Sequence, residues 1–109
     1  MKPGGQPNMQ QMLKQAQKMQ ADMARVQEEL KDETVEASVG GGAVKVTMTG
    51  DLTVSAVAID AAAVDFEDIT MLEDLVAAAV NEALRQAQDL ANRKMQAVTG
   101  GLGLPGGLF

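Results

Sequence analysis

The chain has 109 residues, the length of one domain, and a net charge of −6 with no His, Cys, Trp or Tyr. Without Cys there are no disulfides or thiolate metal sites; without His a metal would rest on carboxylates alone, and nothing here spaces them like a calcium loop. No nucleophile stands with a base either, so the composition argues against an enzyme and against any cofactor or small-molecule substrate.

No run is long enough to cross a bilayer, which argues against a membrane partner. Met1 to Pro7 carries one Lys and no apolar core, unlike a signal peptide. Together with the missing Cys these features point to the cytoplasm.

Met1 to Pro7 reads as a flexible lead-in, and Asn8 can cap a helix with Gln11 three residues on. Met9, Met12, Ala16, Met19, Met23, Val26 and Leu30 then follow a strict heptad, which predicts a helix over residues 9–32. A seam this narrow suits one partner helix rather than a globular core. A Met-rich stripe also suits a promiscuous peptide groove, but packing against the last helix is the simpler reading.

The apolar period next falls from 3.5 to 2. Val35, Ala37 and Val39 alternate with polar residues, as do Val44, Val46 and Met48, and Gly40-Gly41-Gly42 joins the two runs as a hairpin. Gly50-Asp51 marks a second turn, and Leu52 to Ile59 makes a third strand. Its apolar positions change parity between Val54 and Val57, which requires either a bulge near Ser55 or cover on both faces.

Asp60 to Asp68 is an acidic connection with room for a short helical turn. Thr70 and Glu73 form a capping box, and a broad stripe from Leu72 through Ala79, Ala83 and Ala87 to Ala91 predicts a second long helix ending near Thr99. Gly100-Gly101 supplies the stop, and Gly100 to Phe109 reads as a flexible Gly-, Leu- and Pro-rich tail. The fold class is therefore α+β: long helix, three-stranded antiparallel meander, long helix, in one domain over residues 8–99. Three strands cannot bury both helices, so their outer halves are expected to pair as an arm projecting beyond the sheet. The thin core and the two-phase third strand call for a homodimer built through the sheet.

Met12 to Gln20, Gly42 to Gly50 and Met71 to Ala83, with Val57-Ala58-Ile59-Asp60, together resemble the YbaB/EbfC family of bacterial nucleoid-associated proteins. The resemblance extends over about residues 9–98. It implies a homodimer shaped like tweezers that binds double-stranded DNA with modest or no sequence preference in the nucleoid. It also implies recombination proteins as partners, because the family's genes often lie beside recombination genes.

The charges fit a DNA partner better than the net value does. Residues 1–25 carry +3, residues 26–82 carry −11 and residues 83–109 carry +2. Antiparallel pairing of the helices would set Lys14 and Lys18 beside Arg93 and Lys94 at the tip of the arm, with the acids kept on the body. Arg25 and Arg85 complete the candidate DNA-binding set. Such residues contact phosphates and read no bases, and the chain lacks the aromatic platforms that grip single strands. Gly40-Gly41-Gly42 precedes a strand and so is no phosphate loop. The cluster Asp65, Glu67, Asp68, Glu73 and Asp74 favours the start of the last helix electrostatically. A helical-arm adaptor or chaperone-like protein gripping a protein partner is the alternative reading.

Overall fold

The computed structural model describes residues 9–101. The expectations of a flexible start over residues 1–7, of Asn8 as a cap and of a flexible tail over residues 102–109 fall outside those residues, whereas Gly100 and Gly101, expected to stop the last helix and open the tail, lie within that helix. The element order is α1 (Met9–Asp32), β1 (Thr34–Val39), β2 (Val44–Thr49), β3 (Val54–Ile59) and α2 (Ile69–Gly101). The three strands form one antiparallel sheet in the order β1-β2-β3.

The strands alternate as their period requires. Val44, Val46 and Met48 of β2 are buried on the helix side of the sheet, and Val35, Ala37 and Val39 of β1 pair across from them. Gly40, Gly41 and Gly42 all take positive φ in the connecting turn, a conformation that L side chains resist. Against this face α2 lays Ala79, Ala83 and Ala87, all fully buried. Alanines four apart let the helix backbone come close to the sheet, so Val44 and Val46 are fully enclosed without any aromatic in the core. Burying each of these valines contributes roughly 1.5–3 kcal/mol.

The parity change in β3 is resolved by a bulge. Thr47 pairs with Ala56 but Met48 pairs with Val54, which leaves Ser55 as the extra residue. Its hydroxyl donates to the Thr47 carbonyl at 3.2 Å. Val54, Val57 and Ile59 thereby all pair across from inward-facing residues of β2. They are nevertheless 42–47% exposed, because α2 packs on β1 and β2 and leaves β3 uncovered. Leu52 is not part of the strand: it sits in the preceding turn at φ 69°, held by Thr49 N donating to Thr53 O and Thr53 N donating to Thr49 Oγ1.

The start of α2 differs from the capping-box expectation. Asp68, not Thr70, caps the helix, its carboxylate accepting from Met71 N at 3.1 Å. The acidic connection is shaped by side chains in the same way, Asp60 accepting from Ala62 N and Asp65 from Glu67 N. These are turns rather than a helix.

The α1–α2 contact is a separate small cluster. Val26, Leu30 and Val98 are buried, with Met19, Met23, Leu90, Ala91 and Met95 packed around them. Lower numbers of α1 meet higher numbers of α2, so the helices are antiparallel. Only the inner half of the heptad seam is used. Met9, Met12 and Leu13 remain 77%, 52% and 58% exposed, a departure from a seam packed along its whole length.

The arm is hinged to the sheet at Gly50, whose N–H donates to Glu33 O at 2.9 Å. A Cβ there would stand 2.5 Å from Leu30 Cδ2 and 2.9 Å from the Leu30 carbonyl oxygen. Backbone cannot yield as a side-chain end can, so Gly50→Ala is expected to destabilise the fold by about 1–3 kcal/mol. A lower urea midpoint would show it; an unchanged midpoint would mean that α1 is not seated on this turn.

Candidate nucleic-acid interface

Lys14, Lys18, Asp22, Arg25, Glu29 and Glu33 recur every three or four residues, so they line one face of α1 and its C-terminal end. Read outward from the sheet, the stripe has Glu33 and Glu29 at the base, Arg25 and Asp22 in the middle, and Lys18 and Lys14 at the outer end. Across from it α2 contributes Lys94 and Ala97, and the two helices enclose a groove of about 330 Å³ floored by Val26 and Val98. Lys18, Arg25 and Lys94 of the candidate set meet there.

Each of these cations already has a carboxylate. Lys18 Nζ lies 2.8 Å from Asp22, and Arg25 bridges Asp22 at 3.6 Å and Glu29 at 3.1 Å. Lys94 reaches across from α2 to Glu29 at 3.0 Å and to Glu33. The hydrogen bond from Lys18 holds the Asp22 carboxyl below its usual value, and those from Lys94 and then Arg25 do the same for Glu29. Lys94 is raised in turn by its bonds to Glu33 and Glu29. The groove is thus a chain of ion pairs in which cations and carboxylates alternate.

The other candidates lie apart from it. Arg85 is on the solvent side of α2, hydrogen-bonded to Glu82 and Asp89. Its guanidinium holds the Glu82 carboxyl down to about 2. Arg93 is exposed on α2 and forms no ion pair among the described residues, and the same holds for Lys14, one turn beyond Lys18. Lys45, which was outside the candidate set, is a third such cation, on the outer face of the sheet.

Lys18 and Lys94 therefore line one groove while Lys14 and Arg93 stand outside it, so the four do not gather at a shared tip. The expected tip assumed that the helix ends are flush. α2 instead spends its length as far as Ala87 on the sheet, and its remaining apolar positions pair with Met19 to Leu30. That register puts Lys94 beside the base of α1 and leaves the outer turns of α1 alone. Nor do the acids keep to the body: Asp22 and Glu29 interleave with the cations. The i,i+3 and i,i+4 spacings of Lys18-Asp22, Asp22-Arg25 and Arg25-Glu29 carried that signal in the sequence.

Among the described residues, no helix is long and apolar enough to cross a membrane, and no group of three or more acids stands together as a metal site would need.

The fold is similar to the crystal structure of an uncharacterised protein from Helicobacter pylori, with a TM-score of 0.70, 22% identity, and 86% of this chain and 97% of that one covered. A nucleoid-associated protein of Acetivibrio thermocellus is 53% identical over 107 residues, 98% of this chain and 95% of the relative. One from Moorella thermoacetica is 57% identical over 102 residues, 94% of this chain and 98% of that relative. The pattern of the YbaB/EbfC DNA-binding family matches residues 5–102. With that match across nearly its whole length, and the helix–meander–helix fold beneath it, the chain belongs to the YbaB/EbfC DNA-binding family.

Proposed function

We propose that this protein acts in the bacterial nucleoid as a homodimer that grips double-stranded DNA through its phosphates, with little preference for sequence. The observation that carries the reading is the charge gradient along α1. Lys14 and Lys18 occupy the outer turns and Glu29 and Glu33 the base, so a duplex is attracted to the ends of the arms and repelled by the body. Lysine and arginine side chains are sufficient for phosphate contacts. Two arms in one dimer would hold a duplex from two sides.

The test is a gel-shift titration on two duplexes of unrelated sequence at about 50 and 200 mM salt, with each phosphate contact adding about −0.9 to the log–log slope. Both duplexes are expected to bind with similar affinity and to lose it steeply with salt. Retention of a protein partner with no duplex binding at the lower salt would favour the adaptor reading instead.

The dimer is argued from Val54, Val57 and Ile59. They face the helix side of the sheet, yet α2 leaves them bare, and Phe66 and Ile69 are exposed in the segment that follows. An apolar shelf of this kind marks an interface. Sedimentation equilibrium is expected to give about twice the 11.4 kDa of one chain. Val57→Asp, which puts a charge on the shelf, is expected to shift the protein to the single-chain mass; a variant that stays dimeric places the interface elsewhere.

A further inference from the structure

The arm ends on an unfinished seam. Met9, Met12 and Ala16 continue the heptad whose inner positions bury against α2, yet they face solvent, as does Leu13. The register explains why. Val98 shares a cluster with Val26 and Met19, and Lys94 pairs with Glu29, so the end of α2 at Gly101 comes level with roughly residues 20–22. About ten residues of α1, some 15 Å at 1.5 Å each, run on beyond it.

Because the helices are antiparallel, the C-terminal end of α2 points along this overhang. Residues 102–109 contain Leu102, Leu104, Leu108 and Phe109 and no charged residue. Extended, eight residues reach up to about 26 Å, more than the overhang needs. The spacing of these apolar residues is irregular, which a methionine surface accommodates better than a branched one. The match to the family pattern stops at residue 102, so residues 103–109 lie beyond it.

We propose that residues 102–109 lie along the Met9–Met12–Ala16 seam of the same chain and complete the arm that α2 leaves short. The tether favours this occupant over a second copy, since a short linker holds the segment at a local concentration in the millimolar range. The proposal does not depend on DNA.

The absence of native cysteine makes it testable by cross-linking. The doubly substituted chain Met12→Cys with Leu104→Cys is expected to form an intrachain disulfide under mild oxidation. Its intact mass should fall by two hydrogens, and the reaction should run about tenfold or more faster than in a Lys14→Cys, Leu104→Cys control, given the local concentration that the docked segment supplies. Lys14 points about 200° away from Met12 around the helix. Equal rates in the two pairs would overturn the proposal, as would disulfides that form mainly between chains. Peroxide footprinting gives a second reading on the full-length chain. With Leu102, Leu104, Leu108 and Phe109 all replaced by Ser, Met9 and Met12 should oxidise several-fold faster than in the parent, while Met23 is unchanged. Unaltered rates at Met9 and Met12 would count equally against it.

Discussion

Lys14→Glu combined with Lys18→Glu is expected to weaken binding to every duplex sequence at least about tenfold near 0.1 M salt. Each phosphate contact that is lost removes about 0.9 from the magnitude of the log–log salt slope. Two residues on each arm of the proposed dimer would therefore flatten it by up to about 3.6. Replacing a cation by an acid goes further, because it adds repulsion where attraction stood. Both side chains are exposed, Lys14 away from the seam and Lys18 at the rim of the groove, so folding is not at stake. Lys18 loses its bridge to Asp22, but a pair this exposed adds little to stability. Circular dichroism should show unchanged helix, and sedimentation an unchanged mass. A variant with parental affinity at low salt would remove the outer arm as the contact surface.

Much of this fold can be read from residue periodicity. The 3.5-residue spacing of α1, the alternation of β1 and β2 and the alanine stripe of α2 each specify an element whose burial then follows. What the periodicity leaves open is what lies opposite each apolar position. The third strand shows this. Its change of parity states that something must give at Ser55, but not whether the answer is a bulge or a second covering layer. The pairing of Met48 with Val54 decides it, and the same pairing leaves Val54, Val57 and Ile59 facing a helix that does not reach them.

The start of α2 turned on a finer competition. Thr70 with Glu73 satisfies the capping-box pattern, yet Asp68 two residues earlier offers a carboxylate to Met71 N and takes the cap. Two cap-competent residues within one turn cannot be separated by pattern alone. For the candidate interface the missing quantity was helix register. Which cations share a surface depends on how far α2 travels along the sheet before it meets α1, and that distance is set by Ala79, Ala83 and Ala87. Periodicity placed Lys14, Lys18 and Arg25 on one face, but it could not place Lys94 opposite Glu29 rather than opposite Lys14.

The interleaved acids of the groove lead to the second large effect. Asp22→Asn combined with Glu29→Gln is expected to raise duplex affinity several-fold to about tenfold and to steepen the salt slope, since cations released from their partners become free to displace counterions at phosphates. Both carboxyls are held below their usual values by the cations beside them, so at neutral pH each substitution removes a whole charge. Lys18 then has no carboxylate, Arg25 loses both of its partners, and Lys94 keeps only Glu33. The same release is expected on acidification of the parent. As pH falls through the lowered values of Asp22 and Glu29, the pairs are lost and affinity rises, whereas the doubly substituted protein responds less. A gain in affinity alone would not locate the effect, because any change from −6 towards neutrality weakens repulsion from DNA. Glu73→Gln with Asp74→Asn supplies the control: the change in net charge is identical, but the site is the exposed first turns of α2, far from the groove. If the groove contacts phosphate, the Asp22 and Glu29 substitutions should exceed this control clearly in both affinity and slope. Equal gains would mean that only the overall field had changed, and would leave Lys14 and its outer turn as the part of α1 that meets the duplex.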